Sequence, residues 1–239
     1  MSHGTLYLVP APLGDDSPLD AILPADVRST ANRIGHWIVE NAKTARRFLK
    51  LYGPERMMAE LAMQELNEHT KDAELKALLA PLLAGQDVGL ISEAGCPGVA
   101  DPGANLVRLA HQQGIRVVPL VGPSSILLAL MASGASGQRF RFHGYLPVEA
   151  GPRLERLREL ERDSAKLDEA QLFIETPYRN DAMVDAVLQA CRPTTQLTVA
   201  RDLSCNDELV VSQPLSRWKS QPRPELKKRP AMFVLYAGK

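Results

Sequence analysis

Residues 87–103 read Asp-Val-Gly-Leu-Ile-Ser-Glu-Ala-Gly-Cys-Pro-Gly-Val-Ala-Asp-Pro-Gly. Asp87–Ser92 (DVGLIS) is a short apolar run of the kind a buried strand needs. Asn105–Gln113 carries apolar residues at helical spacing and is stopped by Gly114. Ser92–Gly103 lies between them with three glycines, two prolines and two acids, Glu93 and Asp101. Glycine reaches backbone conformations other residues avoid, and proline fixes the turn. A loop leaving the carboxyl end of a strand is where open α/β sheets bind ligands. We read this one as a ligand loop rather than a long structural turn.

The alternation extends outward. Thr5–Val9, His36–Glu40 and Arg116–Leu120 read as further strands, with Pro119 marking an end or an edge. Ala42–Leu51, Ala73–Ala84 and Ser124–Ser133 read as helices. Strand and helix in alternation predict parallel βαβ units. After Gly137 the strands come closer together, at Gln171–Glu175, Gln196–Arg201, Glu208–Ser212 and Ala231–Ala237, which predicts a mixed sheet. Arg153–Arg162 and Asn180–Cys191 read as helices, the first with its charges on a solvated face, and Gln213–Pro230 as a polar, proline-rich connection. The expectation is an α/β protein of two α/β domains, residues 1–119 and 120–239.

Composition narrows the function. The 239 residues include 28 Lys plus Arg and 28 Asp plus Glu, so the net charge is zero and no general nucleic-acid coat is present. The three cysteines form no C-x-x-C pair, which points away from disulfides and cysteine-bound zinc and toward a reducing compartment. The five histidines (His3, His36, His69, His111, His143) show no metal spacing, so no metal is expected. No secretory signal opens the chain, and the most apolar stretch, Val117–Ala135, is broken by Pro119, Gly122 and Pro123. A cytoplasmic location and no membrane partner are expected. No G-x-G-x-x-G follows the first strand, and P-loop and G-x-S-x-G motifs are absent.

Two further segments accompany the loop. Val121-Gly122-Pro123-Ser124-Ser125 places two serines at a helix start, and Pro10-Ala11-Pro12-Leu13-Gly14-Asp15 turns the chain after the first strand. Together these segments resemble the tetrapyrrole methylase superfamily, most closely its ribosomal RNA small subunit methyltransferase I branch. Where that branch has T-P-I-G-N, this chain has Ala11-Pro12-Leu13-Gly14-Asp15. Ser92–Gly103 stands for S-D-A-G-T-P-G-I-S-D-P-G, and Val118–Ser125 for V-P-L-P-G-P-S-A. Phe140–Pro147, Glu175–Arg179 and Ala200–Ser204 match F-x-F-x-G-F-L-P, E-S-P-H-R and A-R-E-L-T.

The resemblance implies two α/β domains with parallel and mixed sheets, S-adenosylmethionine in the cleft between them, and a homodimer. It implies cofactor contacts at Pro12, Glu93, Ala94, Gly95, Val99, Ser124, Ser125, Glu175, Thr176, Leu203, Pro230 and Ala231. An acceptor that must lose a proton needs a base, for which Asp101 and Asp15 are the candidates. The chain departs from the branch at Glu40-Asn41-Ala42-Lys43, where E-D-T-R is expected, and at Cys205, where Lys is expected. Three readings stay open: methylation of a ribosomal RNA ribose 2′-hydroxyl, C-methylation of a tetrapyrrole, and a cofactor-binding protein that does not methylate. If Gly95 carries ligand-facing backbone, Gly95→Val should remove cofactor binding and leave the fold intact.

Overall fold

The central strand of the first half is apolar throughout rather than alternating. In β4 (Val88–Ile91) all four residues are buried. That pattern belongs to a parallel sheet covered on both faces. In the computed structural model, which describes residues 2–67 and 70–238, the chain divides into two units, Met1–Ser124 and Ser125–Lys239. His69 lies outside the described residues.

The first unit runs β1 (Thr5–Leu8), α1 (Leu19–Ile22), α2 (Ala25–Arg33), β2 (His36–Val39), α3 (Ala42–Tyr52), β3 (Ala62–Glu65), α4 (Asp72–Leu78), α5 (Ala80–Leu83), β4, α6 (Ala104–Gln112) and β5 (Arg116–Pro119). The sheet order is β3-β2-β4-β1-β5, and every pairing is parallel. Two cores cover its faces. One gathers Trp37, Val39, Phe48, Leu49 and Ile91 with α2 and α3; the other gathers Leu6, Ile38, Leu82, Leu90 and Leu106 with α4, α5 and α6. Gly89 sits opposite Trp37, where any Cβ would come within 2.5 Å of the indole. The ring lies across β4 because that position is bare.

The second unit runs α7 (Ser125–Ser133), β6 (Phe140–Tyr145), α8 (Ala150–Leu167), β7 (Ala170–Ile174), α9 (Asn180–Ala190), β8 (Gln196–Arg201), β9 (Leu209–Pro214), α10 (Leu215–Ser220) and β10 (Ala231–Tyr236). Its sheet, β6-β7-β10-β8-β9, is mixed: β6 and β7 are parallel, and the other pairs antiparallel. Helices α8 and α9 pack with Phe173, Phe233 and Trp218 in one core, the two phenylalanine rings stacked 5.4 Å apart.

Several expectations are corrected. Ala73–Ala84 is not one helix but two, because Pro81 has no N–H to carry the ladder across the joint. The connection Gln213–Pro230 contains α10, recognisable afterwards by Leu215 and Trp218, both buried and three residues apart. The sequence pattern predicts neither strands β3 and β6 nor helices α1 and α2; β3 (AMQE) is a mostly exposed edge strand with little apolar signal. The charges of α8 are not all solvated. Glu161 is buried and accepts from Arg192 N (2.7 Å) and from the Thr195 hydroxyl. Pro119 ends β5, and β5 is an edge strand, as its sequence predicts.

Trp218 donates from Nε1 to Leu197 O at 2.9 Å and is 1% exposed. Trp218→Ala is expected to cost about 3–5 kcal/mol, read from the shift of a urea unfolding curve.

Candidate functional site

All five strands of the first sheet point the same way, so the loops after β1, β2, β4 and β5 leave from one edge. Hydrogen bonds tie these loops together. Ala11 and Gly95 form an antiparallel bridge, with Ala11 N donating to Gly95 O (2.8 Å) and Gly95 N to Ala11 O (3.1 Å). The Cys96 thiol donates to Pro123 O (3.4 Å), and buried Tyr52 donates its hydroxyl to Pro10 O (2.6 Å). Gly122 lies so close to Pro10 that a Cβ there would stand 2.2 Å from the proline Cβ. The three segments singled out in the sequence are therefore one packed group.

The loop itself turns left-handed at Gly95, Gly98, Ala100 and Gly103. At Gly95 (φ +68°) a Cβ would point at Leu13 Cδ2, 3.3 Å away, and toward Pro123 O. The bare position thus serves packing between the loops. This corrects the expected effect of Gly95→Val. A β-branched residue would be strained in the left-handed region and pressed against Leu13, so the loop packing should suffer along with ligand binding.

Around the loop lies a set of carboxylates. Glu40, the first residue after β2, accepts from Glu93 N through Oε2 (3.2 Å). Glu93 Oε1 accepts from the Thr44 hydroxyl (2.9 Å). Burial pushes the Asp101 carboxyl up to about 6; a hydrogen bond with Ser92 opposes the rise, and the charges of Glu40 and Glu93 add to it. Burial likewise raises Glu40, opposed by the Glu93 N–H and reinforced by the Glu93 carboxylate. Burial, and then Asp101, raise the Cys96 thiol. Among the described residues no group of His, Cys, Asp or Glu is arranged to hold a metal.

The other base candidate, Asp15, is exposed and faces Arg47 at 2.7 Å. Pro12 is buried behind the Ala11 bridge, while Glu93, Ala94 and Val99 are exposed. Glu40, Thr44 and Tyr52 were not among the sequence candidates. The altered Glu40-Asn41-Ala42-Lys43 segment does local work: Asn41 Oδ1 caps α3 by accepting from Lys43 N (2.9 Å) and Thr44 N (3.1 Å). The lost family hydroxyl at position 42 has a neighbour in Thr44, which reaches Glu93.

Within the second unit the register gathers another group. Ala231 pairs with Arg201 at the end of β8, and Met232 with Ile174 at the end of β7. Glu175, Thr176, Leu203, Pro230 and Ala231 therefore share one edge of that sheet. Asp202 N donates to Pro230 O (3.0 Å), and Asp202 and Ser204, on either side of Leu203, are left-handed. Glu175 is 4% exposed; its Oε1 accepts from Thr176 N and Arg179 (both 2.6 Å). Its Oε2 is buried with no partner among the described residues. Ser124 closes the first unit and Ser125 opens α7. A polar cavity of about 430 Å³ near Arg192, Thr195 and Ser212 contains none of these residues.

The sequence model of the Tetrapyrrole (Corrin/Porphyrin) Methylases matches residues 5–218. The chain belongs to this family. The methylase is 33% identical over 216 residues to ribosomal RNA small subunit methyltransferase I of Pseudomonas aeruginosa, spanning 90% of this chain and 72% of that one. To the protein of the same name from Mesorhizobium japonicum it is 36% identical over 204 residues, spanning 83% and 63%. Among solved structures it resembles the methyltransferase CobJ, with a TM-score of 0.62 at 16% identity, covering 99% of this chain and 94% of that one. It also resembles uroporphyrin-III-C-methyltransferase from Thermus thermophilus, with a TM-score of 0.56 at 17% identity, covering 98% and 92%. Those two likenesses establish the fold: mixed α/β, two sheets, tetrapyrrole methylase-like. The methylase is a methyltransferase, and no described helix is long and apolar enough to cross a membrane.

Proposed function

We propose that the methylase takes a methyl group from S-adenosylmethionine and transfers it to a ribose 2′-hydroxyl of ribosomal RNA. The observation that carries this reading is the Asp101 carboxyl, held up to about 6 beside Glu40 and Glu93. A hydroxyl acceptor must lose its proton as the methyl arrives, and a base works best when its pKa lies near the working pH. The relatives' names supply the acceptor class.

The residues fit the cofactor. Glu175 Oε2 is buried and unpartnered among the described residues, and stands ready to accept a ligand N–H or O–H. Glu93 and Ala94 are exposed on the loop, where carbonyls and a carboxylate suit a cation. The N-terminus of α7 at Ser125 offers N–H groups to a carboxylate. When bound, S-adenosylmethionine supplies the electrophilic methyl carbon of a sulfonium. Pro12, Gly95, Val99, Ser124, Thr176, Leu203, Pro230 and Ala231 complete the proposed contacts, and Asp101 accepts the acceptor's proton. Thr44 and Glu40 hold Glu93 in place through its carboxylate and its N–H. Exposed Leu127 and Met131 on α7 are consistent with a homodimer.

Calorimetric titration with S-adenosylmethionine and S-adenosylhomocysteine tests the reading. Micromolar binding is expected, weakened about tenfold by Glu175→Gln if its charge-assisted hydrogen bond to the ligand is worth about 1.5 kcal/mol. A folded protein that binds neither compound would overturn it.

A further inference from the structure

Zero net charge conceals a concentrated exception. Helix α3 reads Ala-Lys-Thr-Ala-Arg-Arg-Phe-Leu-Lys-Leu-Tyr, with four cations and no acid. Among the described helices none other carries such an excess. On α8, for comparison, Arg153, Arg156, Arg158, Arg162 and Lys166 are interleaved with Glu155, Glu159, Glu161 and Asp163. The one basic run in a loop, Lys227-Lys228-Arg229, is partly answered by Asp202 and Asp207, which Arg229 meets at 3.1 and 2.9 Å.

Spacing puts the α3 cations on one face. Lys43, Arg46, Arg47 and Lys50 stand at i, i+3, i+4 and i+7, and all four are exposed. Ala45, Phe48, Leu49 and Tyr52 form the opposite, buried face. From Lys43 to Lys50 the ridge rises about 10 Å at ~1.5 Å per residue, which matches about three nucleotides of one strand at ~3.4 Å each. One ridge cation is engaged within the protein: Arg47 meets Asp15 at 2.7 Å. Two other acids lie at the start of the helix, where Glu65 accepts from Ala42 N (3.4 Å) and Glu93 from Thr44.

The ridge also begins at the candidate site. Glu40 holds Glu93 N, Asn41 caps the helix, and Lys43 follows. A polyanion lying along Lys43, Arg46 and Lys50 would run directly to the carboxylates around Asp101. We propose that this face of α3 is the track for the phosphodiester backbone of the RNA acceptor. It is a phosphate-reading, sequence-neutral surface that fixes where along the strand the ribose is presented. Lys43 acts as a point charge. The inference rests on the RNA reading above.

The test is fluorescence anisotropy of a mixed-sequence single-stranded RNA oligonucleotide with the full chain, over a range of NaCl concentrations. Each phosphate contact adds roughly 0.7 to the slope of log affinity against log salt. Lys43→Gln/Arg46→Gln/Lys50→Gln is expected to lower that slope by about 2 and weaken binding at low salt at least tenfold. S-adenosylhomocysteine binding should be unchanged. Arg46→Gln/Lys50→Gln, away from the cap, should lower the slope by about 1.4, which keeps the test valid if the triple variant folds poorly. Arg158→Gln/Arg162→Gln/Lys166→Gln on α8 removes equal charge and should leave the slope alone. Equal slopes for wild type and both α3 variants would overturn the track while the RNA reading stands. A wild-type protein that binds S-adenosylhomocysteine but no RNA would overturn both.

Discussion

Asp101→Asn should slow methyl transfer about 10²–10⁴-fold, the usual worth of a positioned general base, while S-adenosylhomocysteine still binds. Asparagine keeps the size of the side chain and its ability to accept from Ser92, but it cannot take a proton. In the wild-type protein the rate should rise with pH through about 6 and then level, because Asp101 must be ionised to act. The same group makes a stability prediction of opposite sense. Its pKa is higher in the folded protein than in the unfolded chain, so its stabilising contribution is complete in acid and is lost as pH rises through about 6. Above that pH the permanently neutral Asp101→Asn should be the more stable protein. The gain, discounted for partial exposure, is about 1 kcal/mol, or roughly 2–4 °C in Tm, and it should vanish toward pH 4. Rate profiles and melting curves of both proteins across pH 4–9 check the two signs together. A variant that retains full activity would remove Asp101 from the chemistry.

Gly122→Ala should damage the fold of the first unit and the site together. The new Cβ would stand 2.2 Å from Pro10 Cβ and 2.3 Å from its Cγ. A proline ring cannot turn aside, so the backbone of one loop must move. Overpacking of this kind costs about 1–3 kcal/mol. Movement of Pro10 also disturbs Ala11, its bridge to Gly95 and the Tyr52 hydrogen bond. A lower Tm and a loss of S-adenosylhomocysteine affinity are expected together. Pro10→Gly removes the opposing atoms, so Pro10→Gly/Gly122→Ala should recover part of the affinity. If Gly122→Ala binds the cofactor normally, the packed loops do not set the site.

The parallel sheet was legible because buried strands such as Val88–Ile91 are continuous apolar runs bounded by turn residues. The glycine-rich loop was legible because its glycines and prolines cluster within twelve residues, and four of those residues do turn left-handed. Elements whose burial depends on distant partners were harder to read. Helix α10 shows only two apolar residues amid prolines, and Trp218 makes sense once Leu197 O is seen above it. β3 has no apolar alternation, because it closes an edge. At the site, the sequence exposed the glycines and the acids of one loop, yet not the reach between loops. Glu40 lies 53 positions from Glu93 and Thr44 lies 49 away, and parallel pairing of β2 with β4 brings them together. Glu161 is hidden for the same reason, since its partners Arg192 and Thr195 lie in the distant loop between α9 and β8.

The most direct test is methyl transfer itself. Purified protein is incubated with radiolabelled S-adenosylmethionine and small ribosomal subunits lacking the modification. The RNA is then digested to nucleosides. Label should appear in a single 2′-O-methylated nucleoside and should be lost with Asp101→Asn. Label on an added tetrapyrrole instead, or no transfer to RNA by protein that binds the cofactor, would contradict the account.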